Sequence, residues 1–172
     1  MFQFKVGGNC SAVIHNETGS CIVVSKSGKA PRKKMDIMSD FVIIAHFDAD
    51  NWACAYYAQN KSTLPTSDAP LHFAILNDTQ MDMNWSEYPQ VALHGHAFET
   101  EEEAEKNGYP ISTELTLFST PEDTAALMGL LKRHPYPEDN IFVRKGHGFM
   151  LLASDPDDAK AIFEKRIKPH LG

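Results

Sequence analysis

Apolar and polar positions fall into short strand-like runs early in the chain and into helical stripes later. Alternation over residues 2–6 predicts a strand closed by the turn residues Gly7-Gly8-Asn9. Residues 11–15 and 20–25 predict two more strands, joined as a hairpin by Asn16-Glu17-Thr18-Gly19. Residues 40–47 read as a buried strand, with 52–58 as its hairpin partner across Asp48-Ala49-Asp50-Asn51. A helix is predicted from Ser67 or Asp68, with Pro70 in its first turn and Leu71, Ala74 and Ile75 on one face. It runs out near Asn77-Asp78. The apolar run after Pro89, residues 91–98, predicts a further buried strand; the acidic segment 99–106 is either a short helix or a loop, and 111–118 reads as a strand. Ser119-Thr120-Pro121-Glu122-Asp123 starts a helix whose buried stripe is Leu127, Met128 and Leu131. Residues 140–144 and 149–153 are strands on either side of Gly146-His147-Gly148. Asp155-Pro156-Asp157-Asp158 starts a last helix with Ala159, Ile162, Phe163 and Ile167 facing inward.

Strands first and helices interspersed later predict an α/β chain of the α+β type, a central, mainly antiparallel sheet flanked by helices. Residues 1–172 are expected to form a single domain, long enough to bury a core. With 42% hydrophobic and 23% charged residues the composition is that of a soluble globular protein, not of a disordered or fibrous one. No apolar stretch approaches a membrane span and the first residues lack a signal-peptide layout, so a cytoplasmic protein without membrane contact is expected. Cys10, Cys21 and Cys54 are too widely spaced for a zinc ribbon and odd in number, which predicts reduced thiols in or near strands. A net charge of −7 argues against a nucleic-acid surface, though not against a small anion held by local donors. The one basic cluster, Lys26 to Lys34 with Lys29, Arg32 and Lys33, is either a solvated loop or the cationic rim of an anion pocket.

Candidate chemistry centres on His94-Gly95-His96. Period-2 alternation puts both imidazoles on one face of the strand, about 7 Å apart, where they can close on one cation. Gly95 removes the side chain from the opposite face and admits a close backbone or ligand approach. His147, between two glycines at another strand end, is the third donor. Three histidines leave an open position on zinc, the arrangement of catalytic rather than structural sites. The alternative is that His94 and His96 are stacked structural histidines and that His147 fills a glycine-flanked turn.

Taken together, several segments resemble the class II aldolase/adducin family of zinc-dependent sugar-phosphate aldolases and 4-epimerases. They are Gly8-Asn9-Cys10-Ser11, Ser27-Gly28, Pro65-Thr66-Ser67-Asp68 with Pro70 and His72, His94-Gly95-His96 and Gly146-His147-Gly148, in the family's order across residues 7–165. The resemblance implies a three-layer architecture, His94, His96 and His147 as ligands of one zinc (or another divalent metal), and Asp68 as the catalytic carboxylate beside it. It makes Asn9, Ser27, Gly28, Thr66 and Ser67 the phosphate-binding groups. The activity implied is retro-aldol cleavage of a small phosphorylated sugar or hydroxy-carbonyl compound through a metal-stabilised enediolate. The same site chemistry serves a 4-epimerase or a dehydratase, and the adducin-like heads are non-catalytic assembly domains. A homo-oligomer, in the family a tetramer with its sites at subunit interfaces, is also implied. The residue types suit these roles: hydroxyls, amides and glycine-exposed backbone N–H groups receive phosphate, and a carboxylate moves a proton while zinc polarises oxygens.

Departures from the family pattern bear on the reaction. Aldolases of the family carry Glu where this chain has Asp68, which favours the epimerase branch. The epimerases also use an acidic residue after His-x-His and a tyrosine near the C-terminus, whereas here residues 98–110 are short and no tyrosine follows Tyr136. The helix that precedes Gly-Asn-x-Ser in the family is missing as well. Asp68 also has the position of a simple helix cap, and Ser27-Gly28 and Asn9 those of ordinary turns. His72 is expected in the core or behind the site.

Overall fold

The structure, a computed structural model, describes residues 8–17, 19–28, 34–78, 83 and 85–171. The strand expected over 2–6 and three members of the basic cluster, Lys29, Arg32 and Lys33, lie outside the described residues. Among the described residues, seven strands hydrogen-bond into one sheet: β1 (Gly8–Asn16), β2 (Gly19–Ser25), β3 (Phe41–Asp48), β4 (Ala53–Tyr57), β5 (Val91–Gly95), β6 (Ile141–Arg144) and β7 (Gly148–Ala153). Their order is β4-β3-β2-β1-β5-β7-β6, and every neighbouring pair is antiparallel. Both predicted hairpins form, β1 with β2 and β3 with β4.

Successive side chains on β5 enter different cores, as the two-residue strand period requires. Ala92 joins Ile22, Val24, Val42, Ile44, Met150 and Leu152 on one face of the sheet. That face is covered by α1 (Ala69–Phe73), which continues as a π-helical turn (Ala74–Asp78), and by α3 (Pro121–Arg133). Val91 joins Val143, Phe149, Leu151 and Ala153 on the other face, under α2 (Glu101–Asn107) and α4 (Pro156–Ile162) with its π-helical extension Phe163–Ile167. The result is three layers, helices on both faces of an antiparallel sheet. The acidic segment left open between helix and loop is α2, nucleated by a capping box in which Thr100 Oγ1 accepts from Glu103 N at 3.2 Å. Thr120 and Asp155 cap α3 and α4 ahead of Pro121 and Pro156.

Three local expectations differ from the structure. The segment 111–118 is not a strand: only Ile111 makes a bridge, parallel to Val143. Ser112 Oγ accepts from Lys145 N at 3.0 Å, occupying the rung that a main-chain carbonyl would have taken, and the ladder stops there. Beyond it Leu115, Leu117 and Phe118 are exposed. Asn9 is not a turn residue but pairs with His94 inside the β1–β5 ladder. The strand expected over 91–98 ends at Gly95, so His96 follows the last rung.

The joint between β5 and β7 is tight. Gly148 has φ of 122°, and a Cβ built there would lie 2.2 Å from the Gly95 carbonyl oxygen and 3.0 Å from His96 Cα. A Cβ on Gly95 would meet the Phe149 ring at 2.7 Å, but a side chain can rotate away where backbone cannot. Gly148→Ala is therefore expected to cost roughly 3 kcal/mol or more and Gly95→Ala about half of that, as read from urea midpoints; equal costs would show that the backbone at the joint yields.

Candidate active site

Antiparallel pairing of β5 with β7 sets His94 opposite Met150, and the turn between β6 and β7 brings His147 back over the end of β5. The His94 and His147 rings stack at a centroid distance of 4.6 Å, and His96 lies 5.1 Å from the first and 5.0 Å from the second. One ring nitrogen from each of the three comes within 4.8 Å of the others. His94 Nδ1 donates to the Phe149 carbonyl at 2.8 Å, an assignment that leaves Nε2 with its lone pair for a cation. His147 Nδ1 is buried with no hydrogen-bond partner among the described residues. His96 Nδ1 lies 3.4 Å from the Glu99 carboxylate. Burial, then the neighbouring Arg144 guanidinium, push the His94 pKa well below its ordinary value, and burial followed by His147 lowers that of His96. Three imidazoles packed this closely, His94 and His96 shifted toward the neutral form and His147 with an orphaned nitrogen, suit a divalent cation of the zinc type.

All nine residues singled out in the sequence line one cavity of about 290 Å³. His94, His96, His147 and Asp68 share it with Asn9, Ser27, Gly28, Thr66 and Ser67. Two loops are stitched together to make one wall. Lys26 bridges to Pro65, Ser27 N donates to Leu64 O at 2.9 Å, and Thr66 N donates to Ser25 O at 3.0 Å. These bonds set the Ser27 and Gly28 backbone beside the Thr66 and Ser67 hydroxyls. His72 lies behind the wall, fully buried, with Nδ1 2.7 Å from Ser11 Oγ and Nε2 hydrogen-bonded to Asn9 Oδ1.

Asp68 occupies the cap position of α1 but makes no side-chain cap bond. Its carboxylate turns into the cavity instead. Oδ1 accepts from Ser119 Oγ at 2.7 Å, and Oδ2 accepts from Asn9 Nδ2 at 2.9 Å and from Arg144 Nη2 at 3.1 Å. Burial opposes ionisation of Asp68, but His147 and the Arg144 charge, followed by His94 and Asn9, outweigh it and hold the carboxyl well below the usual carboxylate range. Asp68 Oδ2 is 3.9 Å from Nε2 of both His94 and His147, which is beyond a direct hydrogen bond.

Lys26, from the basic cluster left open between a solvated loop and the rim of an anion pocket, lines the cavity, and the structure adds two residues that the sequence reading did not place there, Phe118 and Ser119. Phe118 lies 4.5 Å from the His147 ring, and Lys26 Nζ is paired with Asp40 at 2.6 Å. Ser119 has φ of 61°, a left-handed conformation uncommon for serine, and the surroundings over-determine it. Its N–H donates to Asp123 Oδ2 at 3.1 Å, and its carbonyl accepts from Trp52 Nε1 at 2.9 Å. Beneath the cavity Arg144 is 1% exposed and donates through Nη1 to Asp123 Oδ2 at 2.6 Å. An arginine ending the apolar run Ile141-Phe142-Val143 was the available signal, because arginine is seldom fully buried without a partner. Tyr109 and Tyr136 do not line the cavity: the Tyr109 hydroxyl donates to Arg166 O, and Tyr136 packs on Trp85.

The sequence matches no family model and no curated protein. Solved structures do match in fold. A sugar-phosphate aldolase from Thermotoga maritima superposes with a TM-score of 0.65 at 16% identity, covering 95% of this chain and 84% of that one. The N-terminal class II aldolase domain of a Thermoplasma acidophilum protein gives 0.58 at 16% identity, over 94% and 79% of the two chains. An L-fuculose 1-phosphate aldolase gives 0.57 at 16% identity, over 92% and 70%. The chain has the class II aldolase fold.

The buried pair and an exposed pair on the same turn should differ sharply in worth. Asp123→Ala strands the Arg144 charge and should cost about 3–5 kcal/mol in urea unfolding, whereas Lys145→Ala, which removes the exposed contact with Glu101, should cost under about 1 kcal/mol. Near-equal losses would place Arg144 in contact with water.

Proposed function

We propose that the chain is a metal-dependent aldolase-type lyase that cleaves a small sugar phosphate, or a related hydroxy-carbonyl compound, by retro-aldol reaction. The observation that carries this reading is the meeting of two chemistries in one cavity: three converging imidazoles, and a wall of amide, hydroxyl and glycine backbone donors. His94, His96 and His147 would hold zinc or a similar divalent cation. When bound, such a cation supplies Lewis acidity to the hydroxyl and carbonyl oxygens of the substrate.

The remaining roles belong to the chain's own residues. Ser27, Gly28, Thr66, Ser67 and Asn9 receive the phosphate and so fix the distance from substrate tail to imidazole cluster. Lys26 lines the same wall, with its ammonium shared with Asp40. Asp68 follows Ser67 directly, so the group that orients the tail and the group that meets the reacting end move as one segment. Its ionised carboxylate accepts the proton of a substrate hydroxyl at Oδ1 or Oδ2 and returns it to carbon. Phe118 screens His147 from water.

Among reactions of this chemistry, cleavage is preferred to 4-epimerisation. The epimerases that the sequence resembles use a tyrosine, and among the described residues none lines the cavity. No described helix is long and apolar enough to cross a membrane, consistent with a cytoplasmic enzyme. Residues 1–172 are read as one domain of a homo-oligomer, tetrameric by resemblance, and exposed Leu115, Leu117 and Phe118 beside the cavity offer an apolar contact for a second copy.

Elemental analysis of protein purified without added metal and without a histidine tag tests the reading. About one divalent metal per chain is expected, lost in His94→Ala, His96→Ala or His147→Ala. Full metal retention in all three variants would remove the site. Asp68→Asn should keep the metal and lower sugar-phosphate cleavage by about 10²-fold or more, whereas an unchanged rate would reduce Asp68 to a structural group.

A further inference from the structure

Two carboxylates, one guanidinium and one serine form a closed ring beneath the imidazole cluster. Arg144 donates through Nη1 to Asp123 and through Nη2 to Asp68, Ser119 Oγ donates to Asp68, and Ser119 N donates to Asp123. Arg144, Asp68 and Asp123 are all nearly inaccessible to solvent. The same Nη2 lies 3.3 Å from both ring nitrogens of His94. A cation buried under a candidate cation site is costly, and a site that only had to bind metal tightly would do better without it.

Asp68 shows what the guanidinium does there. Its Oδ2 sits 3.9 Å from Nε2 of both His94 and His147, which makes it a candidate fourth ligand of a metal those nitrogens would hold. The hydrogen bonds that hold that carboxylate come from other groups, Asn9 and Arg144 on Oδ2 and Ser119 on Oδ1. Of these only Arg144 carries charge, and Asp123 fixes it in place at 2.6 Å.

We propose that Arg144 is a positioning residue that ties Asp68 back from the metal, so that Asp68 stays a hydrogen-bonding carboxylate and the fourth coordination position is left to substrate. The inference rests on the three-histidine site proposed above. Asp123 is the counter-charge that keeps the guanidinium buried, and the left-handed Ser119 backbone closes the ring from the opposite side.

Cobalt(II) titration of the metal-free protein, followed by the visible absorption of the bound ion, tests the proposal without an activity assay. Freed from Arg144, Asp68 should ligate: Arg144→Met is expected to tighten cobalt binding by about 10-fold or more and to change the cobalt spectrum. The tightening should vanish when Asp68→Asn is added. Because Arg144→Met alone strands Asp123, the double variant Asp123→Leu/Arg144→Met, which removes both buried charges, is titrated alongside with a thermal melt as the check of folding. Unchanged or weaker binding with a wild-type spectrum in the folded double variant would overturn the positioning role. So would tightening that persists with Asp68→Asn, since simple charge repulsion would then explain it. If the wild-type chain binds neither cobalt nor zinc, the three-histidine reading falls and this inference falls with it; binding by wild type without tightening in the variants sinks the inference alone.

Discussion

The close backbone contact between β5 and β7 is the constraint on which the site depends. Gly148 brings its chain against the Gly95 carbonyl, a distance that leaves no room for a Cβ. That contact decides how far the β6–β7 turn lies from the end of β5, and so whether His147 reaches His94 and His96. Ring separations of 4.6 to 5.1 Å follow from it. A wider joint would leave His94 and His96 at the end of β5 and an isolated third histidine in a loop. The two glycines are tolerated inside a sheet because cores on both faces hold the strands.

Burial then decides the electrostatics. His94 is pushed toward its neutral form by desolvation and by Arg144, and His96 by desolvation and by His147, while Asp68, bonded to the same guanidinium, stays ionised. One guanidinium, bonded to both Asp68 and Asp123, lies beneath the three rings. In the proposed function a divalent ion would sit over that guanidinium and its carboxylates, and the anionic end of a substrate would be received by the hydroxyl, amide and backbone donors of the neighbouring wall, beside Lys26. Placing opposite demands on adjoining surfaces allows one small cavity to accommodate both.

The wall owes its form to backbone pairing rather than to side chains. The Lys26–Pro65 bridge and the bonds flanking it join the end of β2 to the approach to α1. Asp68 is thereby carried to the cluster without spending its carboxylate on a helix cap. Behind it, His72 and Ser11 hold Asn9, which in turn holds Asp68, so the acid is supported from β1 as well as from β6. The rate of any proton step at Asp68 would reflect this rigidity as much as its charge.

The order of strands and helices, both hairpins and the helix starts at Thr120 and Asp155 were legible in the sequence because each is a local signal, and the family resemblance gathered the nine residues that line the cavity. Alternation, caps and short motifs act over a few residues and report on themselves. What failed or was missed depends on partners distant in the chain. Residues 111–118 alternate like a strand, yet Ser112 ends the pairing and leaves Leu115, Leu117 and Phe118 exposed. Asn9 looks like a turn residue until β5 pairs with it. Ser119 and Asp123 read only as part of a helix start and Arg144 only as the end of an apolar run, whereas their roles come from hydrogen bonds that span 21 to 76 positions. Sequence by itself determined which residue types were present for a metal and an anion. Tertiary structure alone decided which carboxylate faces the imidazoles and which charge restrains it, because burial and distance, unlike periodicity, are properties of the packed chain.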